Sequence, residues 1–221
     1  IIVDTCIGND KPRNVPAWNQ LQLPFLEDLA QAGHSRESFD LVLCTHLHVD
    51  HVGWNTMLVD GQWVPTFPNA RYLIARQEYD YWNSENNDGE FGDIMSDSVR
   101  PVYDAGLMDL VDIDAQICPE VRLEPTTGHT PGHVSIHISS QGQHALITGD
   151  CFHHPCQIAH TEWSSSADYD QQASRVTRDR LLNQYGDEDV LIIGTHFATP
   201  TAGYFRRDGA DYWFDAGQGK G

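Results

Sequence analysis

Four potential metal ligands crowd into the six residues 46–51, directly after an apolar run, and this constrains the fold more than any other feature of the chain. Leu41-Val42-Leu43-Cys44 leads into Thr45-His46-Leu47-His48-Val49-Asp50-His51, a His-x-His-x-Asp-His pattern. Residues two apart project to the same side of an extended backbone, so His46 and His48 share a side, while Asp50 and His51 follow where the chain must turn. Imidazole nitrogens and carboxylate oxygens are what zinc or a similar divalent ion takes at about 2.0–2.2 Å. Two ligand pairs on one loop imply two ions.

One loop cannot complete two coordination shells, so further ligands are required at other strand ends, and the chain supplies them. Gly128-His129-Thr130-Pro131-Gly132-His133 follows the extended run Val121-Arg122-Leu123, Thr148-Gly149-Asp150 follows Ala145-Leu146-Ile147, and Gly194-Thr195-His196 follows Val190-Leu191-Ile192-Ile193. In each case a ligand type stands beside a glycine, which allows close approach of backbone and ion. An isolated histidine is more often a hydrogen-bonded surface or core residue. That reading would have to explain ligand types repeated at four apolar strand ends. His133, after a Pro-Gly turn, reads as a brace for its loop. His137 and His144 read as exposed strand residues and His160 as surface, while His153 and His154 are open between a substrate contact and a structural role. Asp4 is a candidate to accept the distal N–H of a metal-bound histidine, or to hold its own loop.

In this order the motifs HxHxDH, GHTPGH, TGD and GTH, with Val3-Asp4-Thr5 ahead of them, resemble the metallo-β-lactamase-fold hydrolases over nearly the whole chain. Cys6 stands where that superfamily has glycine. Carried over position by position, the resemblance implies His46, His48 and His129 on one metal, Asp50, His51 and His196 on the other, and Asp150 bridging both. True β-lactamases of the fold lack such a bridging carboxylate. The chain is therefore more similar to the lactonase, arylesterase, organophosphate-hydrolase and glyoxalase II branches, and its ending, Gly194-Thr195-His196-Phe197 through Gly203-Tyr204-Phe205 to Tyr212-Trp213-Phe214, to the quorum-quenching lactonase and methyl parathion hydrolase neighbourhood. The implied fold is α/β, a four-layer αββα sandwich with two central sheets. The superfamily has strands ahead of this point, so the first strands are expected to precede Ile1 and a leader could precede them; a cytoplasmic location is favoured, with a periplasmic or secreted one open.

The resemblance implies hydrolysis of a lactone or other carboxylic ester by a hydroxide bridging two divalent ions, zinc foremost with iron or manganese open, and with Asp50 and Asp150 as catalytic residues. Two such ions lower the pKa of water towards about 7 and polarise a carbonyl or phosphoryl oxygen, so no catalytic serine is needed. The chain has no G-x-S-x-G elbow. The alternatives are a phosphotriesterase, a glyoxalase II-like thioesterase, for whose usual C-terminal helical extension there is no room after His196, and, more distantly, an iron-dependent oxidising enzyme of the same fold. A non-enzymatic binding protein usually loses ligands, whereas all seven candidates stand here.

A net charge of −19 opposes binding to phosphate backbones and anionic membranes. It favours a small uncharged ester or lactone as substrate and argues against a nuclease. No run of eighteen apolar residues exists, so no membrane span is expected, and a homodimer is left open. The five cysteines are odd in number and lack C-x-x-C spacing, so neither a disulfide framework nor a thiolate zinc cluster is indicated; Cys44 and Cys151 read as small buried hydrophobes.

A chain of 221 residues suits one domain, 1–221, with a substantial core. Pro24 to Gly33 reads as a helix, with Pro at its start and Gly at its end. Strands are expected at 1–3, 40–45, 69–75, 109–113, 117–124, 134–139, 143–148, 190–193, 203–207 and 211–215, with Gly61 to Pro65 as a Pro-flanked connection. Residues 76–106 read as two short helices around the loop 83–89, and Asp168 to Tyr185 as a helix ended by Gly186. Trp18, Phe25, Phe67, Trp82, Phe91 and Trp163 read as core aromatics. Trp54, Phe152 and Phe197 read as pocket residues, because each lies one to three positions from a proposed ligand.

Overall fold

The computed structural model describes residues 1–84 and 92–217, and the chain divides into two compact units, 1–111 and 112–221. The first unit is built on a parallel four-stranded sheet in the order β1-β2-β5-β6, where β1 is Ile2–Val3, β2 Leu41–Leu43, β5 Arg71–Ala75 and β6 Met108–Val111. Parallel strands are buried on both faces and need crossovers. Hence β2 and β5 carry Val42, Leu43, Tyr72 and Ile74 with almost no exposure. The crossovers include α1 (Phe25–Gln31) between β1 and β2, and α2 (Arg76–Trp82) and α3 (Arg100–Asp104) between β5 and β6. Val49, Phe67, Ile94, Met95, Val99 and Val102 complete this core, each fully buried apolar side chain contributing about 1.5–3 kcal/mol.

Two local features of this unit depart from expectation. The stretch Gly61 to Pro65 is not a bare connection: Gln62–Pro65 (β4) pairs antiparallel with Thr56–Val59 (β3), joined by Asp60-Gly61 with both φ angles positive. Asp-Gly is the residue pair such a hairpin turn favours. The second helix of the 76–106 region begins as a π-helical turn, Met95–Val99, ahead of α3. Pro101 has no N–H to give the Asp97 carbonyl. That carbonyl instead accepts from the Lys11 ammonium at 2.9 Å and from the Thr56 hydroxyl. Part of the expected loop 83–89, and Phe91, lie outside the described residues.

The second unit is a seven-stranded sheet in the order β13-β12-β11-β10-β9-β8-β7. Its strands are β7 (Gln116–Cys118), β8 (Val121–Pro125), β9 (Val134–Ser140), β10 (Gln143–Ile147), β11 (Val190–Ile193), β12 (Ala202–Asp208) and β13 (Asp211–Asp215). The single strand expected at 117–124 is two, β7 and β8, turning at Pro119-Glu120, because proline cannot donate to the ladder there. Every pair is antiparallel except β10–β11, whose crossover contains α4 (Cys156–Ala159) and α5 (Gln171–Tyr185). Asp170 caps α5, its carboxylate accepting from the Ala173 N–H at 2.9 Å. Leu146, Ile192 and Phe205 meet Leu181, Leu182 and Tyr185 of α5 in this unit's core. Among the described residues no helix is long and apolar enough to cross a membrane.

Candidate metal centre

The first unit delivers His46, His48, Asp50 and His51 on the loop that leaves β2. The rings of His46 and His48 stand 4.6 Å apart and those of His46 and His51 4.1 Å apart. Ligand atoms of His46 and His48 lie within 4.8 Å of one another, as do those of Asp50 and His51. Asp4 holds this loop. Its carboxylate accepts from the Thr45 N–H and from the Thr45 hydroxyl, both at 2.8 Å, and faces His51 Nδ1 at 2.8 Å. Because that hydroxyl gives its proton to Asp4, it accepts from His46 Nδ1 at 3.0 Å. One carboxylate thereby sets the tautomer of two imidazoles and makes Nε2 the nitrogen of each that could take a metal. Asp4 and Cys6 both have positive φ, a conformation glycine adopts without strain, which fits a position where the motif usually carries glycine. The Thr5-Cys6 backbone receives Gly53 and Trp54 N–H at 2.7 and 2.8 Å, and a Cβ on Gly53 would lie 1.8 Å from the Ile7 carbonyl. The buried Glu78 of α2 completes the support, accepting from the Leu47 N–H at 3.0 Å and from the Trp82 indole at 2.7 Å.

The second unit brings His129, Asp150 and His196 together. Asp150 Oδ2 stands 3.5 Å from His129 Nε2 and 3.0 Å from His196 Nε2. His129 Nδ1 faces Asp168 at 2.9 Å, repeating the carboxylate–imidazole arrangement of Asp4 and His51. Burial pushes the Asp168 carboxyl up, but the hydrogen bond from His129 and the charges of His129 and Arg178 outweigh it and hold it below the usual carboxylate range. His133 does not join the ligands. Its Nε2 accepts the Asp150 N–H at 2.9 Å and its Nδ1 meets the Thr126 hydroxyl at 2.8 Å, so it braces the turn that presents Asp150. Gly128 is needed because a Cβ there would meet the Ser174 backbone nitrogen at 2.2 Å.

Each unit therefore presents an imidazole, His51 in the first and His129 in the second, whose Nδ1 faces one carboxylate and whose Nε2 lies near another. That donor set, nitrogen and oxygen without sulfur, fits divalent ions of the zinc type. The thiols of Cys44 and Cys151 do not compete: burial raises each to about 12.

The metallo-beta-lactamase superfamily profile matches residues 1–196. The chain belongs to that superfamily. Within it, an N-acyl homoserine lactonase of a Bacillus species is 26% identical over 113 residues, 51% of this chain and 38% of the relative. AiiA, the N-acyl homoserine lactonase of Bacillus thuringiensis subsp. kurstaki, is 26% identical over 123 residues, 55% of this chain and 42% of the relative. The matched stretch thus spans about two fifths of these lactonases. Among solved structures, the hydrolase AbOPH has a TM-score of 0.78 at 22% identity, with 96% of this chain and 73% of that one covered. The dizinc quorum-quenching lactonase AidC, in complex with a product, has a TM-score of 0.75 at 21% identity, with the same coverage. At that identity the likeness carries the fold, and it places this chain in the α/β metallo-β-lactamase fold.

Three readings of this metallo-β-lactamase chain need correction. Trp54, Phe152 and Phe197 are buried packing residues, not pocket walls: Trp54 stacks on Phe25 at 5.3 Å, Phe152 packs on Phe205 at 5.4 Å and Phe197 on Phe214 at 5.0 Å. Closeness in sequence to a ligand does not fix the side of the chain a ring takes. Trp82, at the end of a helix rather than next to a motif, is an aromatic that meets a ligand candidate, its ring 5.4 Å from His48. His137 is buried beside Tyr185, while His144 is exposed as expected, and Trp163 is exposed, stacked on His160. His153 joins the second-unit cluster, with Nε2 3.4 Å from Asp150 Oδ2 and its ring stacked on His196 at 5.4 Å. His154 lies outside that cluster and accepts from the Cys156 N–H. Asp168 and Glu78 carried no sequence signal, since a carboxylate that serves a ring 39 positions away belongs to no local pattern.

Proposed function

We propose that the two units act as one domain, residues 1–221, and that the chain is a dinuclear metal-dependent hydrolase cleaving a lactone or other carboxylic ester. In this reading His46, His48 and His129 hold one ion, Asp50, His51 and His196 the other, and Asp150 is shared. The observation that supports it most directly is the Asp150 carboxylate, standing between His129 and His196, the two histidines assigned to different ions. Family membership and the N-acyl homoserine lactonases among the relatives support the substrate class.

Two divalent ions, zinc foremost, would supply Lewis acidity towards an ester carbonyl and a water acidified to near neutral pKa. The chain's own groups do the rest. Asp4 and Asp168 hold the imidazoles in the ligating tautomer, and His133 presents the Asp150 turn. Asp50 Oδ2, 3.6 Å from His51 Nε2 and partly exposed, is placed to orient a water and take its proton, and Asp150 shares that role. The charge of −19 disfavours phosphodiester substrates.

A substrate panel on zinc-reconstituted protein tests this. Turnover of acyl lactones or aryl esters, slower turnover of neutral phosphotriesters and none of phosphodiesters or β-lactams is expected. Fast phosphodiester hydrolysis with lactones and esters untouched would overturn the assignment.

A further inference from the structure

Arg178 is buried in the second unit with no exposed side-chain surface, and so is the carboxylate of Asp168. The Arg178 Nε donates to the Thr161 carbonyl and Nη2 to the Ser164 hydroxyl, each at 3.0 Å. Its Nη1 makes no hydrogen bond among the described residues and stands 3.6 Å from Asp168 Oδ2. A guanidinium cannot shed its proton to escape burial. A buried ion without a counter-charge is strongly penalised, so the pairing with a carboxylate matters to both partners. Asp168 is thus held from two sides: its Oδ2 meets Arg178 and accepts the Ser165 N–H at 3.1 Å, and its Oδ1 meets His129 Nδ1 at 2.9 Å.

We propose that Arg178 is a positioning residue of the metal centre, holding Asp168 so that Asp168 keeps His129 in its ligating orientation. This rests on the reading that His129 is a metal ligand. The backbone of the His129 loop is fixed independently by the start of α5: Tyr169 N–H donates to the His129 carbonyl at 3.0 Å, Asp170 N–H to Gly128 at 2.9 Å and the Thr177 hydroxyl to Thr127 at 2.6 Å. Those bonds place the Cα of His129, while its ring packs against His133 and His153. Asp168 orients the ring through the contact of its Oδ1 with His129 Nδ1. Arg178 and the Ser165 N–H hold the other oxygen, Oδ2, so the carboxylate keeps its orientation towards His129. Asp4, which serves His51, differs in being held by the amide and hydroxyl of Thr45.

Zinc affinity of the full chain, measured by competition with a chromophoric chelator and paired with thermal melting, tests the proposal. Asp168→Asn and Arg178→Met should each weaken zinc binding about 10–100-fold, the usual cost of losing an outer-shell partner. The double variant should be no weaker than Asp168→Asn alone, since one residue acts through the other, and Arg178→Lys should recover part of the loss. Leu181→Ala, a core change in the same helix, should lower the Tm yet leave zinc affinity within about 2-fold of wild type, since its cost is a core cavity. Wild-type affinity in Arg178→Met, or losses that multiply in the double variant, would overturn the proposal. Should Arg178→Met fail to fold, wild-type affinity in Asp168→Asn overturns it equally. A wild-type chain that binds no zinc overturns instead the metal reading on which the proposal stands.

Discussion

Asp4 Oδ2 lies 2.8 Å from His51 Nδ1, across 47 positions of sequence. The same carboxylate takes both donors of Thr45, so the residue that follows β1 governs the loop that follows β2. The parallel pairing of these strands, with Val3 beside Leu43, is what brings them together. The site begins with strand pairing.

Replacing Asp4 by Ala should therefore cost metal before it costs fold. Removing the acceptor of His51 and Thr45 is expected to weaken zinc binding about 10–100-fold, with Asp4→Asn falling between Ala and wild type because an amide oxygen can still accept from Thr45. Chelator competition measures it; equal affinity in all three proteins would show that Asp4 only holds its own loop.

Elemental analysis of the reconstituted chain should return close to two ions, and Asp150→Ala should bring that number down. His133→Ala should keep both ions while leaving the buried Asp150 N–H without its acceptor, a loss of about 1–3 kcal/mol in stability. If His133→Ala sheds metal and Asp150→Ala retains both ions with full turnover, the ligand assignment fails.

Phe152→Ala should destabilise the protein by about 3–5 kcal/mol, as an aromatic truncation in a packed core does. The KM of the folded fraction should not change, because the ring packs against Phe205. A raised KM at unchanged Tm would return Phe152 to the pocket.

Lys11 gives the chain a pH dependence of its own. Its side chain is wholly buried, with Nζ 2.8 Å from the Thr56 hydroxyl, 3.6 Å from Asp97 and 3.8 Å above the Trp63 ring. Burial pulls its pKa down to about 7, Asp97 and Asp10 resist, and Arg13, which already occupies Asp97 with two hydrogen bonds, adds to the fall. Above pH 7 the folded chain has shed this proton while the unfolded chain keeps it up to the ordinary lysine range. The unfolded state then binds more protons, so stability rises with pH across that window, by at most about 1.4 kcal/mol per unit. Urea unfolding from pH 7 to 10 should show this slope in the wild type and not in Lys11→Met; matching slopes would refute the assignment.

What the sequence determined by itself was whatever is local. Apolar runs ended by ligand types marked β2, β10 and β11, Pro24 and Gly186 marked helix ends, and the Asp60-Gly61 hairpin was legible in its turn pair although the prolines around it suggested a connection. The spacing of His46, His48, Asp50 and His51 placed four ligand candidates on one loop because strand and turn geometry act over a few residues. Only the tertiary structure decided which carboxylates support the ligand loops, since Asp4 and Asp168 reach His51 and His129, and Glu78 the Leu47 N–H, through strand pairing and helix docking. The aromatics divided in the same way. Neighbourhood in sequence put Trp54, Phe152 and Phe197 beside the ligands, but the side a ring occupies follows from backbone direction and packing at its own position, which sent all three into packed interiors and brought Trp82 to His48.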